Sequence, residues 1–386
     1  MLFGRPCCIC IGPMKTEVVK LDAGNVDPVK IKEAAALVDN GALVAFPTET
    51  VYGIACRAQS DSLARLIDLK GRTADKHFTV HIGQRDDVRK YVPTIRLNAQ
   101  KLIRNAWPGP VTIVFELDAE GIAKQQGNFE RSVFESLYKR NSIGIRCPDH
   151  AVASMLLRQT SSPVVAPSAN KPGEPPAVDA DQVLAQLSGQ IEMLLDGGPT
   201  THKRSSTVVK MGKKGLEVLR PGVYSLEQLR AWSQIRFLFV CTGNTCRSPM
   251  AEGICRKYLA EKAHCNVDDL ERIGYKVSSA GIIGTAGLPA TAEAVTACAA
   301  KGIDISAHRN QGLSRELIRA SDFIFAMEQV HRQRIIALEP TAVNRCSLLA
   351  ESRGIPDPIG HPQEFYDRCV DMIERAVKKR IGELAI

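Results

Sequence analysis

The sequence predicts an α/β protein built as two successive domains. Three observations carry this. Short apolar, β-compatible runs alternate with helix-compatible runs along most of the 386 residues. After residue 235 the pattern reads β-α-β-α-β, which implies a parallel sheet covered on both faces, with its site at the carboxyl ends of the strands. Length alone suggests two or three domains of ordinary size.

Composition narrows the class. The chain is 44% apolar and 24% charged, ordinary for a globular protein. No run approaches the ~20 apolar residues of a membrane helix. The start, MLFGRPCCICIGPM, lacks the length and cleavage site of a secretory signal. A cytoplasmic protein without membrane contact is therefore expected. Its 12 Cys are scattered and are expected to be reduced thiols. Cys7, Cys8 and Cys10 cluster without a matching His or second Cys pair, so no metal is assigned. The formal charge of +8 suits an anionic partner such as a nucleotide, a phosphoprotein or RNA.

The first half reads as follows. Asp27-Pro28 starts a helix that continues through Ala34–Val38 and closes at Asn40-Gly41. Ala42–Phe46 is a strand, and Pro47–Gly53 is a polar segment at its end, with hydroxyls and a carboxylate suited to a small polar ligand. Ser62–Lys70 is a helix and His77–Ile82 alternates like a strand. Arg89–Tyr91 and Leu97–Ala106 are helical, and Trp107–Phe115 is a turn feeding a strand. Ser142–His150 is a strand with Arg146 towards its end, Ala151–Arg158 a helix, and Val164–Asn170 a strand ending in Ser168 and Asn170. Asp179–Leu187 is a helix, Asp196–Thr200 a turn, and Ser205–Lys210 and Leu216–Gly222 two short strands. Lys70 and Arg72 are phosphate-oxygen ligands by type, Arg through a bidentate fork and Lys as a point charge.

Taken together, these segments resemble the YrdC-type threonylcarbamoyl-AMP synthase family. The resemblance is carried by Phe46-Pro-Thr-Glu-Thr-Val-Tyr-Gly53, Lys70-Gly-Arg72, Val80-His81, Pro108-Gly-Pro-Val-Thr112, Arg146-Cys-Pro-Asp149, Pro167-Ser-Ala-Asn170, Ser206-Thr-Val-Val209 and Leu219-Arg-Pro-Gly222. It implies a domain over residues 15–225 with a twisted mixed α/β sheet around a basic cavity. It implies ATP, L-threonine and bicarbonate as substrates, with Mg accompanying ATP. It further implies double-stranded RNA binding, a link to tRNA, and a separate threonylcarbamoyl transferase complex as partner. By the same resemblance Thr48, Thr50, His81, Thr112 and Ser206 lie near threonine. Lys70, Arg72, Arg146, Ser168, Asn170 and Arg220 lie near the nucleotide. The chain departs from the family at Thr73, at Lys76-His77-Phe78, at Lys171–Pro176 and at Ser205. An alternative therefore stands beside synthesis, in which this half is a nucleotide- or RNA-binding module.

Residues 223–234 carry no motif and mark the boundary. The second domain, 235–386, opens on the apolar run Phe237–Val240, the loop Cys241–Ser248 and a helix from Met250. Tyr275–Gly281 is a strand, Thr291–Lys301 a helix ending at Gly302, and Ser314–Ala320 a helix. Asp322–Met327 is a strand, Glu328–Ala337 a helix, Arg345–Ala350 a last strand, and Phe365–Leu384 a closing helix.

The chemistry of this half sits in one loop. Cys241 lies between a strand end and a helix start, where backbone N–H groups form an anion nest and the helix dipole lowers a thiol's pKa. Thr242, Gly243, Asn244, Thr245 and Cys246 make the loop, and Gly243 and Asn244 tolerate left-handed backbone. Arg247 can grip two phosphoryl oxygens, Ser248 can hydrogen-bond the thiolate, and Asp357, ahead of Pro358, is the candidate general acid. The expected reaction is covalent: Cys241 attacks phosphorus, Asp357 protonates the leaving group, and water hydrolyses the phosphocysteine. No cofactor is needed. This half resembles the low-molecular-weight protein-tyrosine phosphatase family and, through CTGNTCRS, its protein-arginine phosphatase branch. There Thr245 favours a guanidinium, with phosphoarginine or phosphotyrosine in a phosphoprotein as substrate. Cys246 either forms a disulfide with Cys241 on oxidation or packs.

Overall fold

The computed structural model describes residues 14–22, 24–71, 78–212, 214–284, 286–351 and 354–386. Apart from two short segments, it divides into a first unit running to Leu229 and a second from Arg230 to Ile386.

The first unit is built on a ten-stranded sheet, counted among the described residues. Its strands are β1 (Glu17–Lys20), β2 (Val44–Phe46), β3 (Gly53–Arg57), β4 (Thr79–His81), β5 (Val111–Glu116), β6 (Ser142–Arg146), β7 (Val164–Val165), β8 (Met193–Asp196), β9 (Thr207–Gly212) and β10 (Gly215–Arg220). They lie in the order β1-β8-β2-β3-β7-β4-β6-β5-β9-β10. Pairing is mixed: β4 runs parallel to β6, whereas β5 runs antiparallel to β6 and parallel to β9. The helices are α1 (Pro28–Asp39), α2 (Ser60–Lys70), α3 (Leu97–Ala106), α4 (Ala119–Asn128), α5 (Arg131–Leu137), α6 (Ala151–Gln159), α7 (Ala180–Leu187) and α8 (Leu226–Ser233).

Local chemistry explains the ends. Asp27 caps α1 by accepting from the N–H groups of Val29 and Lys30, ahead of Pro28 in the first turn. Ile31, Ala34, Ala35 and Val38 then fall on one buried face at helical spacing, against β2, β3 and α6. Gly71 ends α2 in the left-handed conformation at φ 50°, which costs glycine little.

The second unit has a four-stranded, all-parallel sheet in the order β12-β11-β13-β14. Its elements are β11 (Ile235–Cys241), α9 (Arg247–Ala263), α10 (Leu270–Ile273), β12 (Tyr275–Gly281), α11 (Ala292–Ala299), α12 (Arg315–Ala320), β13 (Phe323–Ala326), α13 (Gln329–Leu338), β14 (Cys346–Leu348) and α14 (Gln363–Gly382). The central strand β11 divides its side chains between two cores. Phe237, Phe239 and Cys241 pack with residues of α9, α11 and α14. Leu238 and Val240 pack on the other face with Ile318 of α12 and Ile335 of α13. A strand buried on both faces in this way reads as a continuous apolar run. The arrangement is the Rossmann-like parallel sheet expected from the sequence.

Several elements differ from the expectation. β1, β3, β8, α4 and α5 are additional, Asp196 ends a strand instead of opening a turn, and the stretch before Tyr91 is a 3₁₀ turn over Arg85–Lys90. No helix of the described residues is long and apolar enough to cross a membrane.

Candidate active sites

In the first unit, strand register builds the site. His81 of β4 is opposite Arg146 of β6, and Arg146 is opposite Thr112 of β5. Residues in lateral register share one face of a sheet, so three polar side chains line a row. Arg146 is buried and donates from Nη2 to Thr50 Oγ1 at 2.7 Å and Glu49 Oε1 at 2.9 Å. Thr48 Oγ1 lies 2.9 Å from Thr50 Oγ1. Arg146 Nε is buried without a partner among the described residues. Thr112 Oγ1 lies 3.1 Å from Ser206 Oγ, and Arg220 Nη2 donates to the Ser206 carbonyl at 2.9 Å.

His81 is held neutral. Burial first, and then the Arg146 charge, push its pKa down to about 3. Its Nδ1 lies 3.1 Å from the Thr79 carbonyl, which can only accept. The ring proton is therefore on Nδ1, and Nε2 is an acceptor.

A second cluster lies in the segment after β7 and at the end of α2. Lys70 Nζ donates to the carbonyl of Ser168 at 2.9 Å, to Asn170 Oδ1 at 3.0 Å, and to the Asn170 carbonyl. Ser168 Oγ donates to Asn170 Oδ1 at 2.6 Å. The expected site residues thus form three groups: Thr48, Thr50 and Arg146 beside His81; Thr112, Ser206 and Arg220; and Lys70, Ser168 and Asn170. Arg146, grouped with the nucleotide residues by resemblance, bonds to Thr50 of the threonine group. Arg72 and the cluster of Cys7, Cys8 and Cys10 lie outside the described residues.

In the second unit, β11 delivers Cys241 to the carboxyl edge of the sheet, and α9 begins at Arg247. The intervening loop is held from outside. Five consecutive carbonyls, Cys241 to Thr245, accept from Ile282 N–H, Ile283 N–H, Asn310 Nδ2, His308 Nε2 and Thr291 N–H at 2.8–3.1 Å. With the carbonyls turned outward, the loop N–H groups are left for the concave side, the pattern of an anion nest. Asn244 supplies the left-handed turn at φ 56°. Gly281 has to be glycine, because a Cβ there would stand 2.8 Å from the Thr242 carbonyl.

Around the sulfur, the Asn244 N–H donates to Cys241 Sγ at 3.2 Å, and Ser248 Oγ lies 3.0 Å away. Asn244 Nδ2 donates to Ser248 Oγ at 2.9 Å, so the serine proton faces the sulfur. Arg247 is 1% exposed. Its Nη1 donates to Glu328 Oε2 at 2.5 Å and the Ile355 carbonyl at 3.0 Å. Its Nη2 donates to Asp357 and, at 3.1 Å, to Thr242 Oγ1. His331 Nδ1 accepts from the Glu328 N–H at 3.0 Å, so its Nε2 carries the proton of the neutral ring and donates to Thr242 Oγ1 at 2.9 Å.

The loop alone led to an expectation of a lowered thiol pKa. The structure gives the opposite direction. Burial pushes the Cys241 thiol up, against the downward pull of Ser248, Arg247 and the Asn244 N–H. The physical reason is desolvation: Cys241 is 2% exposed, and burial penalises the charged thiolate more than these neighbours stabilise it. Cys246 packs, with its sulfur 3.7 Å from Tyr366 Oη and 3.6 Å from Thr291 Oγ1, and both Cys241 and Cys246 are free thiols.

Residues 36–222 match the Sua5/YciO/YrdC family model, described as "Telomere recombination", and residues 236–385 match that of low molecular weight phosphotyrosine protein phosphatase. The threonylcarbamoyl-AMP synthase of Chromohalobacter salexigens is 32% identical over 180 residues, covering 46% of this chain and 91% of that protein. The chain belongs to the Sua5/YciO/YrdC family, joined to a low-molecular-weight phosphatase domain. The threonylcarbamoyl-AMP synthase of Bacillus subtilis is 34% identical over 206 residues, and the match spans 53% of this chain and 56% of that relative. Sua5 of Pyrococcus abyssi, solved with L-threonine, shares the fold at TM-score 0.50 and 23% identity over 69% of this chain and 92% of that one. Among solved phosphatases, the YwlE arginine phosphatase of Geobacillus stearothermophilus is 30% identical over 39% of this chain and 92% of that one, at TM-score 0.34.

Glu49, Glu328, His331, His308 and Asn310 join these sites without having been expected there from the sequence. Glu328 had a legible signal: it lies two residues past β13 of a parallel sheet, at the strand end where ligand-facing residues collect.

Proposed function

We propose that the chain is a bifunctional enzyme. The first unit makes threonylcarbamoyl-AMP from ATP, L-threonine and bicarbonate. The second hydrolyses phosphoarginine or phosphotyrosine in proteins.

For the first unit, the observation that carries the reading is the row His81, Arg146 and Thr112, with Arg146 Nε unpartnered. Arg146 and the Thr48–Thr50 hydroxyls take the threonine carboxylate, and His81 Nε2 accepts from its ammonium. Once its proton has passed to solvent, the amine attacks the carbon of bicarbonate and water leaves, giving the carbamate. A carbamate oxygen then attacks the α-phosphorus of ATP, and pyrophosphate departs. Lys70, Arg72, Ser168, Asn170 and Arg220 meet the nucleotide, where cations stabilise the leaving pyrophosphate. Mg, accompanying ATP, would be held there chiefly by the phosphate oxygens. The product supplies tRNA modification, with tRNA and a threonylcarbamoyl transferase complex as partners. Double-stranded RNA binding fits the positive charge.

For the second unit, the reading rests on the Cys241, Ser248, Arg247 and Asp357 constellation around one nest. The half-buried Thr245 on the loop favours phosphoarginine over phosphotyrosine. A pocket difference of this size gives ~1–3 kcal/mol of discrimination.

The test uses the full chain. Threonine-dependent pyrophosphate release from ATP is expected, and its absence with ATP still bound leaves a nucleotide- or RNA-binding module. Phosphate release from phosphoproteins is expected to vanish in Cys241→Ser. Near-normal turnover in that variant rules the covalent mechanism out.

A further inference from the structure

The second carboxylate on Arg247 has no part in the covalent mechanism. Asp357 already engages Nη2, the Ile355 carbonyl engages Nη1, and yet Glu328 Oε2 stands 2.5 Å from Nη1. Glu328 is held firmly. It is the residue at the start of α13, and its backbone N–H is fixed by His331 Nδ1 at 3.0 Å. A helix start favours negative charge there. Its side chain is 40% exposed, while that of Arg247 is 1% exposed, so the carboxylate lies on the open side of the guanidinium.

Charge makes this arrangement selective. The mouth holds one buried cation and two carboxylates before any substrate arrives. A phosphoryl group adds further negative charge, which Glu328 repels. A phenol ester offers nothing in return. A phosphorylated guanidinium does: it carries positive charge and planar N–H donors that match a carboxylate bidentately. When phosphoryl oxygens occupy Arg247, Glu328 is released to a second guanidinium of the same planar shape, that of the leaving group.

We propose that Glu328 is a specificity-determining residue that binds the guanidinium of a phosphoarginine substrate and disfavours phosphotyrosine. This rests on the reading of the second unit as a phosphatase that accepts phosphoarginine. The test measures kcat/KM of the full chain and of Glu328→Gln on two peptides that differ only in phosphoarginine against phosphotyrosine. A fall of tenfold or more for phosphoarginine, with phosphotyrosine unchanged or several-fold faster, is expected. An equal fall on both peptides would overturn the inference and leave the substrate reading standing, because Glu328 then serves only to hold Arg247. A parent enzyme that prefers phosphotyrosine removes the substrate reading itself. Should Glu328→Gln not fold, inhibition of the parent enzyme decides: arginine amide is expected to compete at least tenfold better than tyrosine amide, and equal inhibition overturns the inference.

Discussion

Ser248 Oγ lies 3.0 Å from Cys241 Sγ, and its proton is directed there because Asn244 occupies the oxygen as a donor. A donor in that position stabilises the thiolate that leaves when phosphocysteine is hydrolysed. Hydrogen bonds to charged groups contribute ~1.5–3 kcal/mol. Ser248→Ala is therefore expected to slow turnover by roughly 10- to 100-fold. Rapid-quench kinetics should show a burst of leaving group followed by slow phosphate release. A uniform slowing with no burst would place the serine's effect elsewhere.

Asp357 sits on Arg247 with its side chain 37% exposed, within reach of a leaving group at the mouth. Asp357→Ala is expected to slow phenyl phosphate by about 10²- to 10⁴-fold, the usual contribution of a general acid. 4-Nitrophenyl phosphate, which departs without a proton, should lose far less. Equal losses on the two esters would remove Asp357 from the acid role.

The Glu49–Arg146 pair is buried, with side chains 7% and 6% exposed and a 2.9 Å contact. Removing one partner leaves the other charge unmatched, at a cost of about 3–5 kcal/mol. Glu49→Gln should lower the calorimetric transition of the first unit, and Glu49→Gln with Arg146→Met should recover much of it. Threonine binding is expected to return only where Arg146 is present. A double variant no more stable than Glu49→Gln alone would refute the pairing argument.

His81, pushed down to about 3 by burial and Arg146, ties stability to pH. The unfolded chain takes up a proton near 6.5 and the folded one does not, so stability falls as pH drops from about 6.5 towards 3. The slope contributed is up to ~1.4 kcal/mol per pH unit. Hydrogen exchange of β4 and β6 amides at pH 7 and pH 5 measures it. His81→Gln should flatten the difference, and an unchanged slope would assign the acid limb to another group.

The legible parts were those with a strong local pattern. β11 announced itself by the apolar run Phe237–Val240, and α1 by its Asp-Pro start and four-residue buried face. β1 did not, since its four residues bury only Val19. α4 carries Gly121 and Gly127 in ten residues and buries only Gln125, so no apolar stripe marks it. β8 is an apolar run of three residues, Met193–Leu195, with no alternation to show it. In the site, Cys241 to Ser248 was legible because the loop is contiguous. The partners of the loop were not. Glu328, His331 and His308 reach it from later segments, and the placement of Arg146 beside Thr112 comes from β-sheet register, which no local pattern shows. The direction of the thiol shift was also hidden, because it depends on how deeply the fold buries the sulfur.

The five outward carbonyls of the Cys241–Thr245 loop carry a thermodynamic consequence. All their partners come from residues 282–310, so the nest is shaped when that segment folds and not when an oxyanion arrives. Little conformational entropy remains to be lost on binding, and each loop residue left free would otherwise cost ~1–2 kcal/mol to order. Calorimetric titration with vanadate should accordingly show a small heat-capacity change. The segment from Ile282 to Asn310 thereby acts as a mould: a lesion there would leave Cys241 and Arg247 chemically intact and the enzyme unable to receive a phosphoryl group.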